Sequence, residues 1–140
     1  MHSVCDRICA AYRTTDYDAQ SAGRRIVIKV GERSAEVDRA LARGRASRGV
    51  YVTAWNPQGR QAPRQWNARA QARLRAAMRA EGRSTIEGYG RGRDGKWAPE
   101  ASLLVFGVRR AVAASLGRRL RQNAVVFVRR GAPAELVALR

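Results

Sequence analysis

Polar residues suited to holding a small ligand gather where an apolar run ends. Thr53, Trp55 and Asn56 close the run 49–55, and Asn67 stands one turn into the helical pattern that follows. Hydroxyls and carboxamides beyond the carboxyl end of a strand, facing a helix N-terminus, are placed to bind ligands in open α/β sheets. Gln122 closes a later helical pattern and belongs to the same set of candidate ligand contacts. The same groups can brace a turn, with Thr53 and Asn56 satisfying backbone atoms and Trp55 filling the core. Glu100 and Asn123, also at element boundaries, carry the same two meanings. Catalytic chemistry has little to work with. The one histidine is His2, beside a chain end, so no histidine-based triad or general acid–base pair is expected. Cys5 and Cys9 lie four apart in a helical pattern, share a face and read as apolar filler; with no further Cys or His ligands, neither a metal nor a cofactor is expected. Gly88, Gly90 and Gly92 precede Arg93 and a turn rather than opening a helix, so they lack the context of a phosphate loop.

Charge is the compositional outlier. Lys and Arg number 28 against 11 Asp and Glu, a formal net charge of +17. A GC-rich coding bias accounts for arginine in place of lysine but not for the scarcity of acids, so a polyanionic partner is expected. Three readings follow. The first is a non-catalytic module that contacts RNA or DNA phosphates without strong sequence specificity, through Arg69, Arg73, Arg75 and Arg79 on one helix, Arg118 and Arg121 on another, and Arg91 and Arg93 in a Gly-Arg hairpin. The second is an adaptor or inhibitor docking on an acidic protein, with Trp55, Trp66 or Trp97 as an anchor, although at least two of the three are expected in the core. The third is a binding protein or enzyme for a small anionic metabolite, with Thr53, Asn56, Asn67 and Gln122 as polar contacts and Arg91 or Arg93 holding its phosphate or carboxylate.

The elements that must position these residues are legible in outline. Val4, Ile8 and Tyr12 recur at helical spacing after Ser3, and residues 24–30 alternate as a strand. Ser34 caps a helix through Val37 and Leu41, with Gly44 expected to end it in the left-handed conformation. After the strand 49–55, a helix over 63–81 shows a stripe of Trp66, Ala70, Leu74, Ala77 and Met78, and Arg64 joins the arginines on its outer half. Strands are expected over 84–89 and 101–108, joined by an Asp94-Gly95 hairpin turn. A helix over 109–122 should bury Val112, Leu116 and Leu120 with Arg110 outward, and strands 124–128 and 136–139 complete the chain. The expected fold is a single α/β (α+β) domain over 1–140, a mixed sheet of five to six strands with three to four helices. No apolar run reaches the length of a membrane span and no signal core opens the chain, so a cytoplasmic protein is expected.

At these same residues a resemblance enters. Thr53-Ala54-Trp55-Asn56-Pro57, then Asn67, then Trp97-x-Pro99-Glu100-x-Ser102-Leu103-Leu104-Val105, and finally Leu116-Gly117 with Gln122-Asn123-Ala124, resemble the bacterial domain-of-unknown-function 3293 family from about Tyr12 onward. The resemblance implies a small stand-alone protein with no assigned activity, so it names neither substrate nor mechanism.

Overall fold

Residues 4–21, 23–95 and 98–139 are described by a computed structural model, in which they form four helices and seven strands. Helix α1 (Val4–Arg13) leads into strand β1 (Thr15–Ser21), which turns back on β2 (Arg24–Ile28). Helix α2 (Ala35–Arg43), β3 (Arg48–Val52), a single 3-10 turn at Pro57–Gly59, α3 (Arg64–Ala80), β4 (Thr85–Gly92), β5 (Glu100–Phe106), α4 (Arg110–Arg119), β6 (Ala124–Arg129) and β7 (Glu135–Ala138) follow. None of the described helices is long and apolar enough to cross a membrane.

The strands form one sheet in the order β2-β1-β4-β5-β3-β6-β7, with every neighbouring pair antiparallel. A mixed sheet was expected because helical crossovers run strands in the same direction. They do so here, since β3 and β4 are joined through α3 and β5 and β6 through α4. Each such pair, however, has an antiparallel strand between its members, β5 in the first case and β3 in the second. The sheet curls until its edges approach. Just past β2 and just before β7, Val30 and Ala134 form a parallel bridge, in which Gly31 N–H donates to Ala134 O at 2.8 Å and Ala134 N–H to Glu32 O at 3.1 Å.

The two faces of the curl are packed differently. The inner face gathers Tyr17, Ala19, Ile26, Ile28, Tyr51, Leu104, Phe106, Val126 and Val128 under α2, which contributes Val37, Ala40 and Leu41. On the outer face only β5, β3, β6 and β7 are covered: Val50, Val52, Leu103, Val105, Val125, Phe127 and Val137 pack beneath α3 and α4. The outer faces of β2, β1 and β4 carry no helix, and so present Arg25, Asp16, Asp18, Glu87, Tyr89 and Arg91 to solvent or to one another. This explains why β1 escapes hydropathy. Its inner residues are Tyr17 and Ala19, its outer ones Asp16, Asp18 and Gln20, and this alternation lacks the aliphatic run that marks a strand covered on both faces.

Local expectations meet the structure unevenly. Ser34 caps α2 by accepting from Val37 N–H at 3.3 Å, and β4 pairs antiparallel with β5, Gly95 N–H donating to Gly92 O at 3.2 Å in the turn that leaves β4. Gly44 has a φ of −79°, and the left-handed residue is Arg45 at 54°. A Cβ at position 44 would lie 3.3 Å from the Phe106 ring, a tight contact that glycine avoids. Helix α3 buries Asn67, Ala70, Gln71, Leu74 and Met78, so its inner face is rotated from the expected stripe and Trp66 is left 44% exposed. Val112 of α4 is likewise exposed, while Ala113, Ala114, Leu116 and Gly117 face the sheet.

Candidate functional site

The end of β3 is held by a web of carboxamides. Asn56 takes the left-handed conformation at φ 47°, which Asn tolerates better than most residues. Its N–H donates to Asn67 Oδ1 at 2.9 Å, and its Oδ1 accepts from Asn67 Nδ2 at 2.7 Å and Ala62 N–H at 3.0 Å. With Oδ1 doubly engaged, the amide orientation is fixed, and Nδ2 points the other way to donate to Glu100 Oε1 at 3.0 Å. Thr53 Oγ1 donates to Ala101 O and accepts from Trp55 N–H, while Gln122 Nε2 donates to Trp55 O at 3.3 Å and Leu120 O at 3.4 Å. Gln71 joins from α3, where its Oε1 accepts from Ala54 N–H at 3.0 Å. Each of these groups thus braces a loop, and together they hold one carboxyl group in place.

That carboxyl, Glu100, lines an inner-face cavity of about 580 Å³ between α1, the open end of the curled sheet and the loops at 56–59 and 122–123. Thr53, Asn56 and Gln122 also line it, whereas Trp55 and Asn67 stand outside it at the far side of the same turn. Among the described residues no second donor reaches the Glu100 carboxylate. Burial pushes its pKa above the ordinary carboxylate value, and the Asn56 hydrogen bond offsets part of that shift. The folded chain therefore keeps the proton to higher pH than the unfolded chain, and stability falls as pH rises through that window. Glu100→Gln removes the titration while keeping the shape. In paired thermal melts it is expected to melt above wild type at about pH 8 and level with it below about pH 4. A lower melting point at both pH values would show that the carboxylate stabilises the fold.

Three tyrosines wall the cavity, and sequence reasoning placed none of them there. Tyr12 and Tyr17 stack at 6.3 Å between ring centroids, and Tyr17 meets Tyr51 edge-on at 5.3 Å. Their hydroxyls donate to backbone carbonyls, Tyr12 to Ala124 O, Tyr17 to Tyr12 O and Tyr51 to Asp18 O, so the rings rather than the hydroxyls are turned to use. Burial raises all three pKa values, that of Tyr12 to about 12, which keeps the phenols neutral. The space they enclose depends on β4. Its Gly90 and Gly92 line the cavity, Gly90 beside the Tyr17 ring, which a Cβ there would meet at 3.6 Å, while Arg91 and Arg93 project from the opposite face. The alternating glycines, visible in the sequence but not assigned to any wall, were the signal available for this cavity.

The arginines separate into two populations. Arg91 and Arg25 both reach Asp18, at 2.9 and 3.1 Å; Arg93 pairs with Asp16 at 2.9 Å, Arg110 with Glu135 at 2.8 Å, and Arg75 with Glu87. By contrast Arg69, Arg73, Arg79, Arg118 and Arg121, with Arg64 and Arg119, have no carboxylate partner among the described residues. Three of these, Arg73, Arg119 and Arg121, line an outer groove of about 450 Å³ between α3 and α4 whose floor includes Leu74, Met78 and Leu116. Trp66 stands at its edge, and Glu81, also there, is held by Arg83 at 3.2 Å. Neither described tryptophan is in the core, since Trp55 is half-buried and Trp66 exposed; Trp97 lies outside the described residues.

The described residues contain no cluster of acids, histidines or cysteines able to hold a metal ion. The family model described as "Protein of unknown function (DUF3293)" matches residues 52–125, a stretch that runs from the end of β3 into β6 and contains both Glu100 with its carboxamide web and the α3–α4 groove. No curated protein and no solved structure matches the chain.

Proposed function

The chain belongs to the DUF3293 family, whose function is unknown, and from that premise we propose that it is a non-catalytic basic protein of the cytoplasm that binds RNA or DNA phosphates without strong sequence specificity, through the groove between α3 and α4. The observation that carries the proposal is the gathering of Arg73, Arg119 and Arg121 around one groove, without carboxylate partners among the described residues, beside an exposed Trp66. Unpaired guanidinium groups attract phosphates at long range and bind them in bidentate fashion, and an exposed indole offers a face on which a base can stack. Arg64, Arg69 and Arg79 on α3 and Arg118 at the end of α4 extend the positive field beyond the groove. Arg91 and Arg93 contribute less, because Asp18 and Asp16 already neutralise them.

The test is the salt dependence of binding to a single-stranded RNA, read by fluorescence anisotropy. Each phosphate released from its counterions contributes a slope of about −0.7 to the plot of log K against log salt on a single strand. The triple variant Arg73→Ser/Arg119→Ser/Arg121→Ser is expected to bind more weakly and to flatten that slope by about two. The control Arg13→Ser/Arg24→Ser/Arg39→Ser removes the same charge elsewhere and should keep most of the slope. Equal losses in the two variants would reduce the effect to net charge alone. No binding by wild type at low salt would end the proposal.

A further inference from the structure

The inner cavity stands apart from the basic surface in chemistry as well as position. In a chain with 28 cationic residues and 11 acidic ones, the described residues lining it include no arginine, lysine or histidine, and one carboxylate, Glu100. Arg91 and Arg93, the groups expected to hold an anion, lie on the other side of β4 in ion pairs with Asp18 and Asp16. Among the described residues an anionic metabolite would therefore meet a half-buried carboxylate and no counter-charge. The remaining described lining is uncharged: the rings of Tyr12, Tyr17 and Tyr51, whose hydroxyls are already engaged, Ala124, Val126 and the bare backbone of Gly90, with neutral polar side chains such as Thr15, Gln58 and Ser102 between them. Aromatic faces attract a cation through their quadrupole, and a carboxylate with one oxygen engaged by Asn56 keeps acceptor capacity on the other for a donor. A volume of about 580 Å³ falls within the range of small-molecule sites.

We infer that this cavity is a binding site for a small organic cation, an amine or amidine carried on an apolar body, with the Glu100 carboxylate as its counter-ion and the three tyrosine rings as its walls. Asn56 is the positioning residue. Its Oδ1 is locked by Asn67 and Ala62, so its Nδ2 holds Glu100 Oε1 whether or not a ligand is present. A bound cation replaces the solvation that burial removes from the carboxylate, and binding therefore favours its ionised form. The sign of the pH dependence follows. Affinity for the cation is greatest where Glu100 is ionised and falls on acidification, beginning above the ordinary carboxylate range because the Glu100 pKa is raised.

Tryptamine, tryptophol and indole-3-propionate share an indole and differ in the charge at the end of a short chain. Titrated calorimetrically into the full chain at about pH 7.5, tryptamine is expected to bind at least about tenfold more tightly than tryptophol, with indole-3-propionate weakest. Glu100→Gln should remove the advantage of tryptamine and leave tryptophol unchanged. Gly90→Val keeps Glu100 and fills the cavity beside the Tyr17 ring, so it should weaken all three; melting of each variant followed by circular dichroism confirms that it is folded. Equal affinities for the amine and the alcohol, preference for the acid, absence of binding by all three, or tryptamine binding that survives Gly90→Val would each overturn the inference. None of these outcomes bears on RNA binding at the opposite face, which the α3–α4 variants test separately.

Discussion

Replacing Gly88 by alanine is expected to prevent folding, or to lower the unfolding free energy by more than about 4 kcal/mol, the range kept for severe backbone or core disruption. The cause lies in the way β1 crosses β4. The Asp18 carbonyl accepts a hydrogen bond from the Tyr51 hydroxyl at 2.6 Å, and in doing so its oxygen leans over Gly88. A Cβ at position 88 would collide with that oxygen and lie 2.7 Å from the Asp18 carbonyl carbon and 2.8 Å from Ala19 Cα. These are backbone atoms, so no rotamer change relieves the clash. The strand would have to separate from its neighbour, taking with it the Tyr89 N–H bond to Asp18 Oδ1 at 2.9 Å and the bond from Arg91 to the same carboxylate. Urea denaturation followed by circular dichroism reads the result. The comparison is Gly23→Ala, in the β1–β2 turn, where a Cβ meets nothing within 4 Å and the only penalty is that of a positive φ. Similar small losses in both variants would show that β1 and β4 do not approach in this way.

The second large effect is expected at Asn67. Its side chain is 2% exposed, and it exchanges hydrogen bonds with Asn56 N–H, Asn56 Oδ1 and Ala62 O. Alanine would leave the Asn56 N–H buried without an acceptor and free the turn at 56–62 from the first turn of α3. A buried unsatisfied group costs about 1–3 kcal/mol, and with the other lost bonds Asn67→Ala should destabilise the chain by about 3 kcal/mol. Its exposed neighbour Gln65→Ala should change stability by less than about 0.5 kcal/mol. The same denaturation midpoints measure both. A loss at Asn67 no larger than that at Gln65 would mean that the web does not tie the turn to the helix. Because Asn67 holds Asn56 and Asn56 holds Glu100, the stability of the turn and the placement of the carboxylate are one property of the fold.

The stripe predicted for α3 shows how helical periodicity can locate a helix and mistake its face. Trp66, Ala70, Leu74 and Met78 recur at helical spacing, yet Asn67 and Gln71 are the buried partners of Ala70, Leu74 and Met78. One residue corresponds to about 100° of rotation, so including Asn67 in place of Trp66 turns the helix enough to expose the indole. Hydropathy ranks a tryptophan as core and two carboxamides as surface. The ranking fails where the carboxamides meet backbone groups of residues 54 and 56, which lie in the loop after β3. The arginines behave alike: the outward placement of Arg73, Arg75 and Arg79 follows from the helix alone, but only the position of Glu87 on β4 distinguishes the paired Arg75 from the other two.

By itself the sequence determined what is local: the Ser34 cap, the turn between β4 and β5, four helices, six of the seven strands, and a charge balance far on the basic side. Each is written within a few residues, because capping, turn chemistry and the alternation of buried and exposed positions act over that range. Tertiary structure alone decided which strands are neighbours, which arginines are neutralised, and that Tyr12, Tyr17, Tyr51 and Glu100 enclose one space. Periodicity reports that a face is buried and is silent about what lies across from it. The partner comes from pairing between segments distant in the chain, and here that pairing brings the bare inner face of β4 opposite three aromatic rings.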